Sequence, residues 1–67
     1  MQSKVVYVEL LHEGVEAWAP VEAEQMDSDT YVLPGRPPED QEWAFPPGSR
    51  VVCERRGEDL FAVRLAA

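Results

Sequence analysis

Residues 50–65 read RVVCERRGEDLFAVRL, and this segment predicts a β-hairpin. β-Branched and other apolar residues recur through Arg50–Arg55 and Leu60–Leu65, which we therefore expect to be strands. Residues 56–59 join them, and Gly57 can supply the positive φ that a tight hairpin turn needs. Two antiparallel strands in so short a segment indicate a β domain.

The register of this hairpin follows from where its apolar side chains would fall. Pairing Val51 with Val63 and Cys53 with Phe61 collects them on one face, where they can form a core. A slip of one residue sets Glu54 against Phe61 and moves the apolar side chains of one strand to the other face. The sequence thus favours the first register, an odd number of turn residues and a buried Cys53.

The rest of the chain also predicts short strands, at Lys4–Leu11, 15–25 and Thr30–Leu33, with a brief one at Glu42–Phe45. Clusters of Gly, Pro, Asp and Ser separate them and indicate turns. Pro20 has no amide hydrogen, so we expect it at an edge position or at a bulge that bends its strand.

Short strands with regular turns in a chain of 67 residues predict an all-β fold, either a small five-stranded SH3-like barrel or a strongly bent antiparallel sheet. Closing the sheet removes exposed edges at minimum size. We expect residues 1–67 to form one domain, with an exposed, proline-rich acidic loop at residues 34–42. The alternative is an open antiparallel sheet with one short helix over residues 21–27.

The charge balance restricts the class of partner. The chain has 6 Lys and Arg against 13 Asp and Glu, a net charge of −7. Such a chain repels phosphate backbones and anionic lipid head groups, so we expect it to bind neither nucleic acid nor membranes. A basic protein is the partner that this charge would attract, and we expect the chain itself to be a monomer.

One cysteine and one histidine limit the metal and redox chemistry that is available. A closed zinc site needs four ligands, so we expect no metal and no other cofactor. A lone cysteine suits a reducing compartment. The first residues lack the apolar core of a signal peptide, and no apolar run approaches the roughly 20 residues that span a bilayer, so we expect a cytoplasmic protein.

Four motifs together resemble a family of small, uncharacterised bacterial proteins with an SH3-like look. They are V-Y-V-x-L at Val6–Leu10, G-x-x-x-W-x-P-V-x-A-E at Gly14–Glu24, P-E-D-x-E-W-x-F-x-P-G at Pro38–Gly48 and V-x-C-E at Val51–Glu54. The resemblance covers nearly the whole chain and implies one intact bacterial domain. It implies no activity, ligand or site residue, and the turn RGED is shorter here than in that family.

Catalysis finds little support in the residue types present. Cys53 would need a nearby base or helix N-terminus to become a reactive thiolate, and the expected register buries it instead. His12 lies beside a Glu-Gly turn, where a solvated side chain is expected. The carboxylate pair Glu39–Asp40 lacks the spacing of a calcium loop. We therefore expect the protein not to be an enzyme.

The aromatic residues are the better indication of function. Trp18 shares the polar parity of its strand, so two interpretations compete. Either Pro20 shifts the register and turns Trp18 into the core, or Trp18 stays partly exposed and forms a recognition surface with Tyr31 and the acidic loop. The first interpretation is favoured because a small core needs large side chains, and Trp43 and Phe45 are expected in the core for the same reason.

These observations predict a non-enzymatic, acidic protein-interaction domain that docks on a basic partner. The alternatives are an inhibitor or immunity-like protein that masks a basic active site, and a structural accessory domain of an enzyme complex. The candidate partner-binding residues combine two aromatics with exposed acids: Trp18, Tyr31, Glu22, Glu24, Glu39, Asp40 and Glu42.

Overall fold

The computed structural model describes residues 2–11, 14–37 and 39–66, and these residues form five β-strands and no helix. The strands are Ser3–Glu9 (β1), Trp18–Gln25 (β2), Thr30–Val32 (β3), Arg50–Arg56 (β4) and Asp59–Leu65 (β5). The expected all-β fold is confirmed. The alternative with a helix over residues 21–27 is wrong, because alternating apolar and polar side chains make most of that segment a strand with one buried face.

The five strands follow one another around a closed barrel. Each consecutive pair is antiparallel, whereas β1 pairs with β5 in parallel through Val6 opposite Leu60 and Tyr7 opposite Phe61. Strand direction alternates around the ring, so the first and last of five strands run the same way and closure has to be parallel. The expectation of a small five-stranded barrel is therefore confirmed.

The core is the inner face of this barrel. Val6 and Val8 of β1 are fully buried, and the alternate residues Ala19, Val21 and Ala23 of β2 lie against them. The remaining buried side chains come from β3, β4, β5 and the long loop: Tyr31, Leu33, Trp43, Val51, Cys53, Leu60 and Ala62. Such alternation is the pattern that the sequence predicted for β2, whereas both sides of β1 are apolar in sequence and only the structure shows which side faces the core.

Pro20 lies at an edge position of β2 and causes no shift in register. The Leu10 amide donates to the Ala17 carbonyl at 2.9 Å, so these two residues form a hydrogen-bonded pair. Hydrogen-bonded and non-hydrogen-bonded pairs alternate along an antiparallel ladder, so Tyr7 and Pro20, three residues further along, form a non-hydrogen-bonded pair. The Pro20 nitrogen consequently faces away from β1. On that side β3 pairs only with the last two residues of β2, so no ladder hydrogen bond is lost there.

The register of the β4–β5 hairpin differs from the expected one. Glu54 lies opposite Phe61 and Cys53 lies opposite Ala62, so the pairing of Cys53 with Phe61 is wrong. The turn contains two residues, with Gly57 at φ +66°, instead of an odd number. Glycine at the first turn position allows the primed two-residue turns, whose twist matches that of the flanking strands.

A β-bulge between Val52 and Cys53 then shifts the pairing within the hairpin. Beyond it Val51 lies opposite Leu65, so the predicted pair of Val51 with Val63 is also wrong. Both Val51 and Cys53 remain buried on the inner face, and Phe61 is half-buried on the outer face. The extra residue of the bulge is Val63 on β5, so alternation within β4 is unbroken and keeps both Val51 and Cys53 in the core despite the slipped register.

The long connection between β3 and β4 covers one end of the barrel. Its two ends continue the β3–β4 ladder, with the Leu33 amide donating to the Ser49 carbonyl at 3.0 Å. Its middle returns to the end of β1, where Leu10 and Trp43 form an isolated bridge in place of the expected short strand. Trp43 is buried and Phe45 packs partly buried against the core, as expected for both.

Candidate functional site

Three aromatic side chains meet on the outer surface of the barrel: Tyr7, Trp18 and Phe61, which we call the aromatic face. The Tyr7 and Phe61 rings stack with their centroids 5.3 Å apart and an interplanar angle of 26°. Trp18 meets Phe61 edge to face at 5.2 Å and 90°. Both geometries are the favourable ones for aromatic quadrupoles, so the three rings form one contiguous surface.

Local alternation explains why these rings point outward. Tyr7 lies between two fully buried valines of β1, and Phe61 lies between Leu60 and Ala62 of β5, both of which face the core. Trp18 begins β2 on the face that also carries Pro20 and the exposed glutamates. The interpretation that favoured Trp18 in the core is wrong, because the β1–β2 register runs unbroken past Pro20 and leaves Trp18 on the outer face, half-buried.

One cation covers part of the aromatic face. The guanidinium carbon of Arg56 lies 5.3 Å from the centroid of the Phe61 ring. The Arg56 Nε also donates to the Glu54 carboxylate at 3.1 Å, and Glu54 lies directly opposite Phe61 in the hairpin. More than half of each side chain, 56% for Arg56 and 59% for Glu54, is in contact with solvent.

Carboxylates surround the same rings. Glu16 accepts a hydrogen bond of 3.0 Å from the Trp18 indole nitrogen, and Glu9 lies directly opposite Trp18 in the β1–β2 ladder. Glu22 continues the outward row of β2 and Glu54 adjoins Phe61. All of these glutamates are exposed. We call Glu9, Glu16, Glu22 and Glu54 the acidic border of the aromatic face.

The other predicted site residues fall into two groups. Glu22 and Glu24 lie exposed on the outward face of β2 together with Trp18. The loop residues Glu39, Asp40 and Glu42 are also exposed. Glu42 lies at the end of β1 where Glu9 pairs with Trp18, and its carbonyl accepts from the Leu11 amide at 2.7 Å. Glu22 and Glu24 pair nearer the other end of β1.

Tyr31 cannot contribute to any exposed recognition surface, so its inclusion was wrong. It is the middle residue of β3 and lies opposite Val51, with only 1% of its surface exposed. Both residues face the interior, because side chains that are directly opposite each other in a ladder lie on the same face. Burial also raises the pKa of the Tyr31 phenol.

An open cleft of about 530 Å³ adjoins the aromatic face and shares Tyr7 with it. It lies between β1 and the tip of the β4–β5 hairpin and is lined also by Lys4, Val5, Arg55, Glu58, Asp59 and Leu60. Val5 is 52% exposed there. Cations and carboxylates occur together in its lining, so the cleft has no single preferred charge.

Cys53 is a core residue, as expected, although the register that placed it there is wrong. Its surface is 6% exposed. Burial, with a smaller contribution from the Asp29 carboxylate, raises the pKa of the Cys53 thiol to about 11. A thiol with so high a pKa is almost entirely protonated near neutral pH and is a poor nucleophile.

Within residues 2–11, 14–37 and 39–66, no three His, Cys, Asp or Glu side chains come together as metal ligands. His12, for which a solvated position beside the turn is expected, lies outside the described residues. That part of the chain for which the structure gives positions also has no helix of the length and apolarity needed to cross a membrane. No protein-family model, curated protein or solved structure matches this chain.

Sequence reasoning named Trp18 and Glu22 as candidate partner-binding residues, although it favoured Trp18 in the core. It missed Tyr7, Phe61, Arg56 and the other glutamates of the acidic border. The positions of Phe61 and Arg56 depend on the two-residue turn, which sets Phe61 outside the barrel and Arg56 beside it. The signal was present in Gly57 as the first of two turn residues between β-rich segments, a common hairpin arrangement.

Proposed function

We propose that this chain is a non-enzymatic interaction domain that docks on a basic partner protein through the aromatic face and its acidic border. The observation that carries the proposal is the meeting of Tyr7, Trp18 and Phe61, from three different strands, on one outer patch. The chain has only two Trp, two Tyr and two Phe, so half of its aromatic residues lie outside a core that is short of large side chains.

Aromatic residues are the side chains most enriched at the energetic centres of protein interfaces. The acidic border gives this patch a preference for positive charge, and the net charge of −7 would steer a basic partner toward it. The same charge disfavours nucleic acid and anionic membranes as partners. We further propose a bacterial SH3-like domain that acts as a monomer in the cytoplasm, a location supported by its single free thiol.

A titration followed by amide and indole nuclear magnetic resonance would test the docking surface. The probe is a short peptide rich in Lys and Arg, and the control is an acidic peptide of the same length. We expect the indole N–H signal of Trp18 to shift and saturate with the basic peptide only. The indole signal of Trp43 is an internal control, because Trp43 is 6% exposed in the core.

Paired substitutions would locate the surface further. Phe61→Ala should weaken binding of the basic peptide by about tenfold or more, as expected for an interface anchor. Leu65→Ala, on the same strand and 50% exposed, should leave the affinity unchanged. The proposal is wrong if no basic peptide binds saturably. It is also wrong if the amide signals that shift belong to exposed acids all over the surface and the signals of Trp18 and Phe61 do not shift.

A further inference from the structure

We propose that the aromatic face binds an arginine side chain of the partner, in the position that Arg56 occupies over Phe61. This specificity presupposes the docking function proposed above and adds the chemical identity of the group that is recognised. Arg56 would then be an internal occupant that a partner's guanidinium displaces.

The position of Arg56 shows what the surface can hold. A guanidinium carbon lies 5.3 Å from the centroid of the Phe61 ring while the same group donates to Glu54 at 3.1 Å. A ring face beside a carboxylate suits a planar cation that can stack and donate hydrogen bonds at once. Lysine matches this arrangement less well, because its ammonium is compact and strongly hydrated.

Arg56 is held weakly enough to be replaced. Its side chain is 56% exposed and that of Glu54 is 59% exposed, so water screens their ion pair. An incoming arginine that takes the same place would release Arg56 to solvent at little cost. It would also bring the rest of its peptide toward Trp18 and toward carboxylates of the acidic border that Arg56 does not reach.

Charge complementarity favours a basic segment of another protein over a second copy of this chain. Glu9, Glu16 and Glu22 add to the negative charge around the rings, while Arg56 is the cation in contact with Phe61. Two copies would each bring a net charge of −7 to the same interface. We therefore expect the aromatic face to bind an extended, arginine-containing peptide.

The test compares two peptides of equal length and charge that carry either Arg or Lys at the same positions. Affinities are measured by calorimetry at about 0.1 M salt, where long-range charge effects are largely screened. We expect the Arg peptide to bind about three- to fivefold more tightly, which is the gain in affinity expected from one exposed cation stacked on an aromatic ring. Phe61→Leu keeps an apolar side chain but removes the ring, and it should abolish the preference for Arg.

Two neighbouring arginines supply a matched pair of variants. Arg56→Gln removes the internal occupant and should strengthen Arg-peptide binding about two- to fivefold. Arg55→Gln changes the charge equally, but Arg55 lines the cleft whereas Arg56 lies over Phe61, so Arg55→Gln is the control for the loss of charge. The ratio of the two changes in peptide affinity isolates the contribution of displacing Arg56. Both side chains are exposed, and circular dichroism together with the Trp43 indole signal verifies that each variant is folded.

The possible results separate this inference from the docking function. Equal affinities for the two peptides, with equal effects of Arg56→Gln and Arg55→Gln, would contradict the recognition of an arginine side chain over Phe61. That result would leave the proposed docking of a basic partner intact. Weaker binding of the Arg peptide to Arg56→Gln than to Arg55→Gln would contradict the proposal that the peptide displaces Arg56. Absence of saturable binding for both peptides would contradict both proposals. If Phe61→Leu fails to fold, the comparison of Arg56→Gln with Arg55→Gln still tests whether the peptide displaces Arg56.

Discussion

At the scale of single residues, burial determines what Cys53 can do. Its thiol packs among apolar side chains of the barrel interior, and burial raises its pKa to about 11. The Asp29 carboxylate contributes in the same direction. Ionising this thiol in the folded chain would leave a charge in a poorly solvated position, so the group acts as a small apolar side chain.

We predict that Cys53 reacts slowly with Ellman's reagent in the native protein. Near pH 8 the raised pKa leaves about one thiol in a thousand ionised, and burial blocks access as well. Reaction in concentrated guanidinium chloride should be faster by about a hundredfold or more. Labelling of the native protein at the rate of the denatured protein would show that Cys53 is accessible and would revive a reactive-thiol function.

The same pKa shift predicts a loss of stability in alkali. The pKa of the thiol in the folded chain, about 11, lies above its ordinary value of 9.0, so the stabilisation is present in full below pH 9. It is lost as the pH rises from 9 to about 11, because only the unfolded chain ionises its thiol there. The free energy of unfolding, from urea titrations, should fall by up to about 2 to 3 kcal/mol.

Cys53→Ala is the control for this alkaline loss, since it removes the titrating group and keeps the position small and apolar. Its stability profile should be flatter between pH 9 and about 11. Tyr31, whose pKa burial also raises, would account for a remaining slope in the same direction. An unchanged profile in Cys53→Ala would contradict the assignment to the thiol.

At the scale of elements, the hairpin turn determines which side chains reach the outer surface. Gly57 adopts φ +66° in a two-residue turn, and the resulting register sets Phe61 opposite Glu54. That arrangement joins Phe61 to Tyr7 of the neighbouring β1. The turn therefore generates the aromatic face as well as the hairpin.

We predict that Gly57→Ala destabilises the protein by about 1 to 2 kcal/mol, the cost of a left-handed backbone for an L-residue. No atom lies within 4 Å of the Cβ that would be added, so the cost is conformational. Gly35→Ala is the control, because its site is equally open and its φ is not in the positive range. Urea denaturation would measure both, and equal effects would show that the turn does not constrain the hairpin.

The loop that carries Trp43 gives a second prediction for an element. Trp43 closes one end of the barrel and is 6% exposed, so Trp43→Ala should cost about 3 to 5 kcal/mol. That is comparable with the whole stability of so small a domain. Phe45→Ala, at a half-buried position of the same loop, should cost less. Circular dichroism showing a folded Trp43→Ala of unchanged stability would contradict the role of Trp43 in the core.

At the scale of the whole molecule, a small closed barrel carries a large excess of negative charge. The chain carries 13 acids and 6 bases, and its described residues form a compact barrel with a radius of gyration of 11.0 Å. Among the described residues the core contains no buried charged side chain, so these charges interact mainly through solvent. Their mutual repulsion opposes the compact state and is sensitive to salt.

We therefore predict that Tm rises by about 2 to 5 °C when NaCl increases from about 0.01 M to 0.5 M, because salt screens repulsion between like charges. Differential scanning calorimetry would measure the shift. Lowering the net charge through Glu24→Gln, outside the acidic border, should reduce the salt effect. A fall in Tm with salt would show that local ion pairs outweigh the general repulsion.

The amino-acid sequence was sufficient to derive the properties that depend only on neighbouring residues within one strand. Period-two alternation identified the all-β fold and the apolar side of β2 that carries Ala19, Val21 and Ala23, because successive side chains of a strand must face opposite ways. Trp43 was assigned to the core because a small domain needs its large apolar surface there. These inferences require no knowledge of which strands become neighbours.

The pairing of the strands depends on contacts that form only in the folded barrel. The hairpin sequence allowed two registers that differ by one residue, and the structure adopts the one that sets Phe61 opposite Glu54. Val51 and Cys53 stay buried in that register because they alternate along β4 on its inner face. The outward Phe61 is favourable because parallel closure of the barrel brings Tyr7 of β1 against it. That contact joins residues far apart in the chain, so its energy enters only when the barrel closes and could not be derived from the hairpin alone.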